Sequence, residues 1–249
     1  MESLPEALAT KLSGARVESA RWWERAQAAI PAGTSGRRRA IPPHPFYPHR
    51  GEGARLVDVD GNEYVDCVNG FGPVFLGHGH PVVVDALVEA VSRGTTFGTP
   101  HPDEVRLAEI LVEGIPCAGK VTFTNTGSQA TDAALRVARV LTGKPGVAKF
   151  EGGFHGGYDD VLGSFAFDPE QSGPVEDPRF VSISNGAPAE NLAHTHVLPF
   201  NHDAAFDKIE RDASKLALVM VEGVQGFGGG IVADRSWLRE LSRVCRAND

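Results

Sequence analysis

Cysteine is scarce in this 249-residue chain: Cys67, Cys117 and Cys245 stand far apart with no Cys-x-x-Cys pair. Neither a disulfide framework nor a zinc ribbon is indicated, and a reducing, cytoplasmic setting is expected. No apolar run is long enough to span a bilayer, and the opening Met1-Glu2-Ser3-Leu4-Pro5-Glu6 puts no basic segment ahead of an apolar core, so no membrane anchor or secretory leader is expected. Positive charge is also in short supply. The formal charge of −8 argues against a general nucleic-acid binder, and the local basic run Arg37-Arg38-Arg39 fits a solvated loop. Neither Gly-x-x-x-x-Gly-Lys-Ser/Thr nor Gly-x-Gly-x-x-Gly occurs, which counts against ATP and dinucleotide sites. What remains is a globular composition, 41% hydrophobic and 22% charged, with length for one large core or two modest ones.

The stretch from Lys120 to Thr142 organises the rest. Val121 to Thr124 is β-branched and aromatic, as a short strand would be, and from Gln129 onward Ala130, Ala133, Ala134, Val137, Val140 and Leu141 recur at helical spacing. Between them, Asn125-Thr126-Gly127-Ser128 forms the handover. Gly127 lets a ligand come close to the backbone, and Ser128 can cap the helix. Free N–H groups and the positive end of the helix dipole favour an anion such as phosphate there. Gly and Ser at such a turn are also common punctuation in α/β proteins, and the residues by themselves leave both readings open.

Along the chain, Leu8, Leu12, Ala15, Ser19, Trp22, Trp23, Ala26 and Ile30 predict a helix over 6–30, stopped by Pro31, Gly33 and Gly36. An extended, irregular segment through Pro42, Pro43, Pro45 and Pro48 follows, then a hairpin over 54–66 turning at Asp60-Gly61. A glycine-dense loop over 69–81 precedes helices over 82–93 and 103–113. Beyond the central helix, short strands are predicted over 147–150, 161–165, 196–200 and 216–221, and helices over 203–211 and 235–245. A Pro, Gly and Ser rich loop lies between Asp168 and Glu190. This alternation predicts an α/β fold with a mostly parallel sheet. The run Leu216 to Val221 is apolar throughout, as a strand covered on both faces should be. Ligands in such sheets sit outside the carboxyl ends of the strands, which singles out 125–128, 151–158 and 222–230.

At the second of these ends a glycine-rich turn carries Phe154 and His155. Phe154 can stack on a flat ring, or it can plug the core while His155 caps the turn. Glu222 closes an apolar strand, and its carboxylate needs a partner, solvent or a function, because burying it bare is costly. A separate possibility is a metal-dependent hydrolase, since His78-Gly79-His80 and His194-Thr195-His196 each place two imidazoles one residue apart. Nothing in the sequence fixes carboxylates or thiolates around them, and His80 precedes a helix-starting proline.

Several motifs occur in a shared order: Ile30-Pro-Ala-Gly, Asp58-Val-Asp-Gly-Asn-Glu-Tyr-Val-Asp66, Leu76-Gly-His-Gly-His-Pro81, Phe123-Thr-Asn-Thr-Gly-Ser-Gln-Ala130, Arg136-Val-Ala-Arg139 with Thr142-Gly143, Lys149-Phe-Glu-Gly-Gly-Phe-His-Gly156, and Val221-Glu-Gly-Val-Gln-Gly226. With these the chain from about Ile30 onward resembles the class III (fold type I) pyridoxal-phosphate aminotransferases, in the branch of glutamate-1-semialdehyde 2,1-aminomutase. The resemblance implies a fold type I transferase, with residues 1–70 forming an N-terminal helix, arm and hairpin within a small domain. Residues 71–249 would be the first part of the cofactor-binding large domain. It also implies pyridoxal 5'-phosphate as cofactor, a homodimer of the full-length parent, and a small amino acid, semialdehyde or amine as substrate. Thr126, Gly127 and Ser128 match the turn that holds the cofactor phosphate. Phe154 matches the aromatic that stacks on the pyridine ring, His155 follows it, and Glu222 lines the pocket. Arg39 aligns with an arginine near the substrate carboxylate, and Phe71 with an aromatic at the substrate entrance.

There are departures from the family pattern. Gln129 stands where the family usually has glutamate. Phe227 stands where relatives place a glutamate or an asparagine, which weighs against an ornithine-type switch and against a true aminomutase. The family's Schiff-base lysine and pyridine aspartate are expected beyond Asp249, since none of Lys11, Lys120, Lys144, Lys149, Lys208 and Lys215 matches such a position. No catalytic residue is therefore assigned within these residues, and a non-catalytic binding module is the alternative.

Overall fold

The computed structural model describes residues 5–36, 39–166, 170–183 and 186–248. Arg37, Arg38, Asp168 and Asp249 lie outside the described residues. Packing divides the chain into two units, Met1–Glu104 and Val105–Asp249. That division follows contacts within this chain, whereas the boundary at 70/71 concerns the complete protein and remains a proposal. Among the described residues no helix is long and apolar enough to cross a membrane.

In the first unit the predicted 6–30 helix is two helices, α1 (Glu6–Ala15) and α2 (Val17–Ala29). Arg16 leaves helical geometry between them at φ −132°. The hairpin takes up groups at the break, with Asn62 Nδ2 donating to the Ala15 carbonyl at 2.7 Å and Arg16 Nε donating to Tyr64 Oη at 3.1 Å. The turn at Asp60-Gly61 forms as expected, joining β2 (Arg55–Asp58) to β3 (Glu63–Val65). The proline-bearing segment is less irregular than its composition suggests, because β1 (Pro48–Glu52) adds a third antiparallel strand. The helix α3 (Pro81–Arg93) follows as predicted, and so does α4 (Pro102–Gly114), which begins at the end of this unit and lies mostly in the second.

The second unit runs α5 (Gly127–Thr142), β4 (Gly146–Phe150), α6 (Ala189–Leu192), β5 (Thr195–Leu198), α7 (Ala204–Asp212), β6 (Leu216–Met220), β7 (Val224–Gln225), β8 (Ile231–Val232) and α8 (Arg235–Ala247). Its three-stranded sheet has the order β5-β4-β6 with both pairings parallel, the α/β arrangement the alternation predicts, and β7 pairs with β8 in a separate antiparallel ribbon. The central strand β4 is buried at every residue. Side chains alternate across it. Ala148 and Phe150 enter a core with Ile209 of α7 and Trp237 and Leu241 of α8, while Val147 packs with Leu135 of α5 and Met220 of β6.

Two expectations fail, each for a physical reason. Val121 to Thr124 forms no strand, because its backbone finds no ladder partner among the described residues. Residues 161–165 form a turn with one isolated bridge, Gly163 to Ser182, rather than a strand. There the Lys149 ammonium draws in the Val161 and Gly163 carbonyls, and Ser164 sits at φ 48°. On α5 the apolar stripe lies on the exposed side, with Val140 83% and Leu141 80% exposed, and Leu135 is the residue that is fully buried. Leu135 packs with Val147, Val161 and Met220, and the Thr142 hydroxyl donates back to the Ala138 carbonyl at 2.8 Å.

Candidate functional site

The parallel register sets Lys149 of β4 opposite Met220 of β6, so both strands end at one edge of the sheet. Glu151 follows one strand and Glu222 the other. From that edge the glycine-rich turn 151–157 reaches the start of α5. Thr131 Oγ1 donates to the His155 carbonyl, Gly157 N donates to Ser128 Oγ at 3.1 Å, and Phe154 N donates to Glu222 Oε2 at 2.9 Å. Gly156 makes this approach possible. Its φ is 125°, and a Cβ there would lie 2.9 Å from Ser128 Cα.

The start of α5 differs from the expectation in one detail. Thr126, not Ser128, is the N-cap, with extended geometry and an Oγ1 that accepts from Gln129 N at 3.2 Å. Gln129 Oε1 in turn accepts from Asn125 N at 3.0 Å. This reciprocal pairing is a variant of the capping box, and it gives Gln129 a role that needs no charge. Ser128 lies inside the first turn. Among the described residues neither Gly127 N–H nor Ser128 N–H finds an acceptor, so two amide donors stand at the positive end of the helix dipole.

Beneath the turn lies a polar network that the sequence did not reveal. Lys149 has no exposed surface, and its Nζ donates to the carbonyls of Val161, at 3.3 Å, and Gly163. Burial draws its pKa down to about 8, opposed by the charges of Glu151 and Glu222. His155 is 8% exposed, and no partner meets its Nε2 among the described residues. Burial, reinforced by the Lys149 charge, lowers its pKa to about 4, so the imidazole is neutral at physiological pH. Burial raises the Glu151 carboxyl, with the Ser172 hydroxyl at 3.0 Å and the Lys149 charge acting against it. Gln225, 2% exposed, fixes the start of the turn by donating from Nε2 to the Glu151 carbonyl at 2.7 Å. The visible signals for these residues were a lysine inside a buried strand pattern and the Thr-x-x-Gln spacing.

The half-buried Phe154 ring is one of three. Its centroid lies 5.2 Å from that of Phe165 and 4.8 Å from that of Phe227, and those two are 5.4 Å apart. The structure thus brings Thr126, Gly127, Ser128, Phe154, His155 and Glu222 into one neighbourhood. Arg39 and Phe71 belong to the first unit. Arg39 is exposed, and Phe71 is 62% exposed at φ 65°, a strained geometry for an aromatic residue.

The histidine pairs take other roles. His78 Nε2 bonds Asp66 Oδ2 at 2.7 Å, and His80 is the N-cap residue of α3. His196 Nδ1 lies 3.3 Å from Asp212 Oδ2. Among the described residues no group of three His, Cys, Asp or Glu could hold a metal ion.

Comparison with known proteins defines the class. The family Aminotransferase class-III matches residues 37–249, and the chain belongs to it. It is 40% identical over 234 residues to a glutamate-1-semialdehyde 2,1-aminomutase of Methanothermobacter thermautotrophicus, covering 94% of this chain and 54% of that protein. Among solved structures, an omega-transaminase from Sphaerobacter thermophilus superposes with a TM-score of 0.87 at 33% identity, covering 92% of this chain and 52% of that one. A transaminase with PLP bound superposes with a TM-score of 0.85 at 35% identity, covering 93% and 53%. The chain therefore spans about half the length of the curated relatives it matches.

Proposed function

We propose that the complete protein carrying this chain is a pyridoxal-phosphate-dependent aminotransferase or aminomutase. It moves an amino group on an amino acid, semialdehyde or amine, and it works as a homodimer. The observation that carries this reading is the pair of unpartnered amides at Gly127 and Ser128, at the head of a 16-residue helix and beside a turn presenting an aromatic ring. These residues fit the cofactor. The two N–H groups and the Thr126 and Ser128 hydroxyls suit a phosphate, while the partly exposed Phe154 ring offers an apolar wall for a flat heterocycle. Bound there, the cofactor supplies an electron sink at the carbon bearing the amino group.

The chain's own residues position and shield. Glu222 fixes the backbone of Phe154, Thr131 fixes that of His155, and the buried Lys149 network holds the turn from below. His155, neutral and with a spare Nε2, lines the pocket as a hydrogen-bonding group. Arg39 and Phe71 are proposed to meet the substrate's carboxylate and its entrance.

A single substitution tests the phosphate cup. Gly127→Pro removes one amide donor at the first helical position, where proline is tolerated, and Thr126 is already in the extended geometry that precedes proline. Titration of the complete protein with pyridoxal phosphate, followed by absorbance, is expected to show affinity weakened about tenfold or more. Unchanged affinity in the variant would remove the phosphate from this turn. A wild-type protein whose absorbance ignores the cofactor, with no amine-dependent turnover, would remove the whole reading.

A further inference from the structure

The residues of β4 are all buried, and Lys149 lies among them with no exposed surface. An ammonium is costly there, whereas an unbranched apolar side chain such as methionine would fill the space without charge. What the ammonium reaches are the two holds on the Phe154 ring. Its Nζ donates to the carbonyls of Val161, at 3.3 Å, and Gly163, and the chain runs on from there to Phe165, whose ring meets that of Phe154 at an interplanar angle of 81°. Its charge also faces Glu222, whose Oε2 accepts from Phe154 N. One hold is on the ring and the other on the backbone, and both lead back to a single nitrogen.

Such an arrangement responds unevenly to substitution. Removing one member of a buried charge set leaves the others without compensation, while neutralising both members of a pair leaves no charge to satisfy. Three titratable groups share the field of Lys149: Glu151 and Glu222 favour its ammonium, and its charge disfavours a proton on His155. Because Lys149 is already covered within this chain, further residues of the complete protein can pack over its neighbours without displacing these contacts.

We propose that Lys149 is a positioning residue for the flat ring of the cofactor: its buried charge holds Glu222 and the 161–165 turn, and through them it fixes the Phe154 ring against which the heterocycle lies. The proposal rests on the reading of Phe154 as the cofactor wall. It divides the binding of the cofactor into two independent parts. The Gly127 and Ser128 amides take the phosphate, and Lys149 governs what the ring gains from its wall.

Two probes on the complete protein separate the parts: pyridoxal phosphate, titrated by absorbance, and inorganic phosphate, read as its competitor. Lys149→Met is expected to weaken pyridoxal phosphate about fivefold or more and to leave the phosphate constant within about twofold of wild type. Glu222→Gln keeps an acceptor for Phe154 N and removes the charge that faces the ammonium. On that background Lys149→Met should therefore weaken the cofactor by about twofold or less, a coupling that mere support of the fold would not produce. Where K149M does not fold, Lys149→Gln, an uncharged donor to the same carbonyls, takes its place with the same expectations. Unchanged cofactor affinity in the variant, equal losses for both probes, or equal losses on the two backgrounds each overturn the proposal, while cofactor binding by the wild type leaves the proposed function standing. Failure of the wild type to bind pyridoxal phosphate removes the proposed function and this inference with it.

Discussion

Two helix beginnings in this chain look alike on paper and differ in what they leave available. At α3, the Gly77-His78-Gly79-His80 turn leads into Pro81, which has no N–H to offer, while the Val83 and Val84 amides both donate to the His80 carbonyl. His78 is held by Asp66, which also accepts from the amides of Val68 and Asn69. At α5, the cap is closed by Thr126 and Gln129, yet Gly127 and Ser128 keep their amides without acceptors, and a neutral imidazole with a spare nitrogen stands on the adjoining turn. Glycine and polar residues occur at both beginnings. At α3 the buried His80 Nδ1 and the Val82 amide are also without partners among the described residues, so what sets α5 apart is that its two open amides stand beside the turn carrying Phe154 and His155.

The comparison can be broken first at glycine. Gly156→Ala would force a Cβ to 2.9 Å from the Ser128 backbone at a φ of 125°, and should cost about 4 kcal/mol from strain and overpacking together. Gly79→Ala, at φ 66° with its nearest neighbour, the Gly51 carbonyl, 3.6 Å away, should cost only about 1 kcal/mol for the left-handed backbone. Urea denaturation of both variants measures the gap, and equal losses would mean that the 151–157 turn does not pack on α5 as described.

A second contrast comes from pH. His155 is held at about 4 in the folded chain against an ordinary 6.5, so the unfolded chain takes up a proton that the folded one resists. Its contribution is therefore complete above pH 6.5 and falls away as the pH drops toward 4, by up to about 3 kcal/mol. The urea midpoint of His155→Gln should lose this part of the acid sensitivity, and a variant as acid-sensitive as wild type would show that His155 is not buried neutral. At the α3 turn the acid effect has a different owner. The bond from His78, with the Asn69 amide next, holds the Asp66 carboxyl below the usual range, so its stabilisation is present at neutral pH and lost as acid protonates it.

Smaller effects refine the picture. Thr126→Ala should cost about 1 kcal/mol through loss of the N-cap, and Thr126→Ser close to nothing. Thermal melts compare the two, and a serine variant as unstable as alanine would mean that the threonine methyl, rather than its hydroxyl, is what matters.

Much of the site was legible because it is local. The turn at 125–128 opens a helix, while the Phe154-His155 pair and Glu222 follow β4 and β6, whose ends the parallel sheet brought to one edge. The capping role of Gln129 was also written in the Thr126-x-x-Gln129 spacing. The α5 stripe predicted the helix that forms, while which side meets the core lay beyond it, because apolar periodicity says that a helix has an apolar side, not that this side is buried. The strand expected at 121–124 shows the same limit, since a β-rich segment becomes a strand only where another backbone pairs with it.

What the sequence by itself determined is the order of strands and helices, the turn chemistry between them and the family motifs, all of which depend on neighbours within a few residues. Only the tertiary structure decided that Lys149 is buried on two carbonyls, that Gly156 bears against Ser128, and that Phe154, Phe165 and Phe227 form one wall. Those contacts join residues far apart in the chain, and burial, charge and ring packing across such distances exist only once the sheet has set its strand ends side by side.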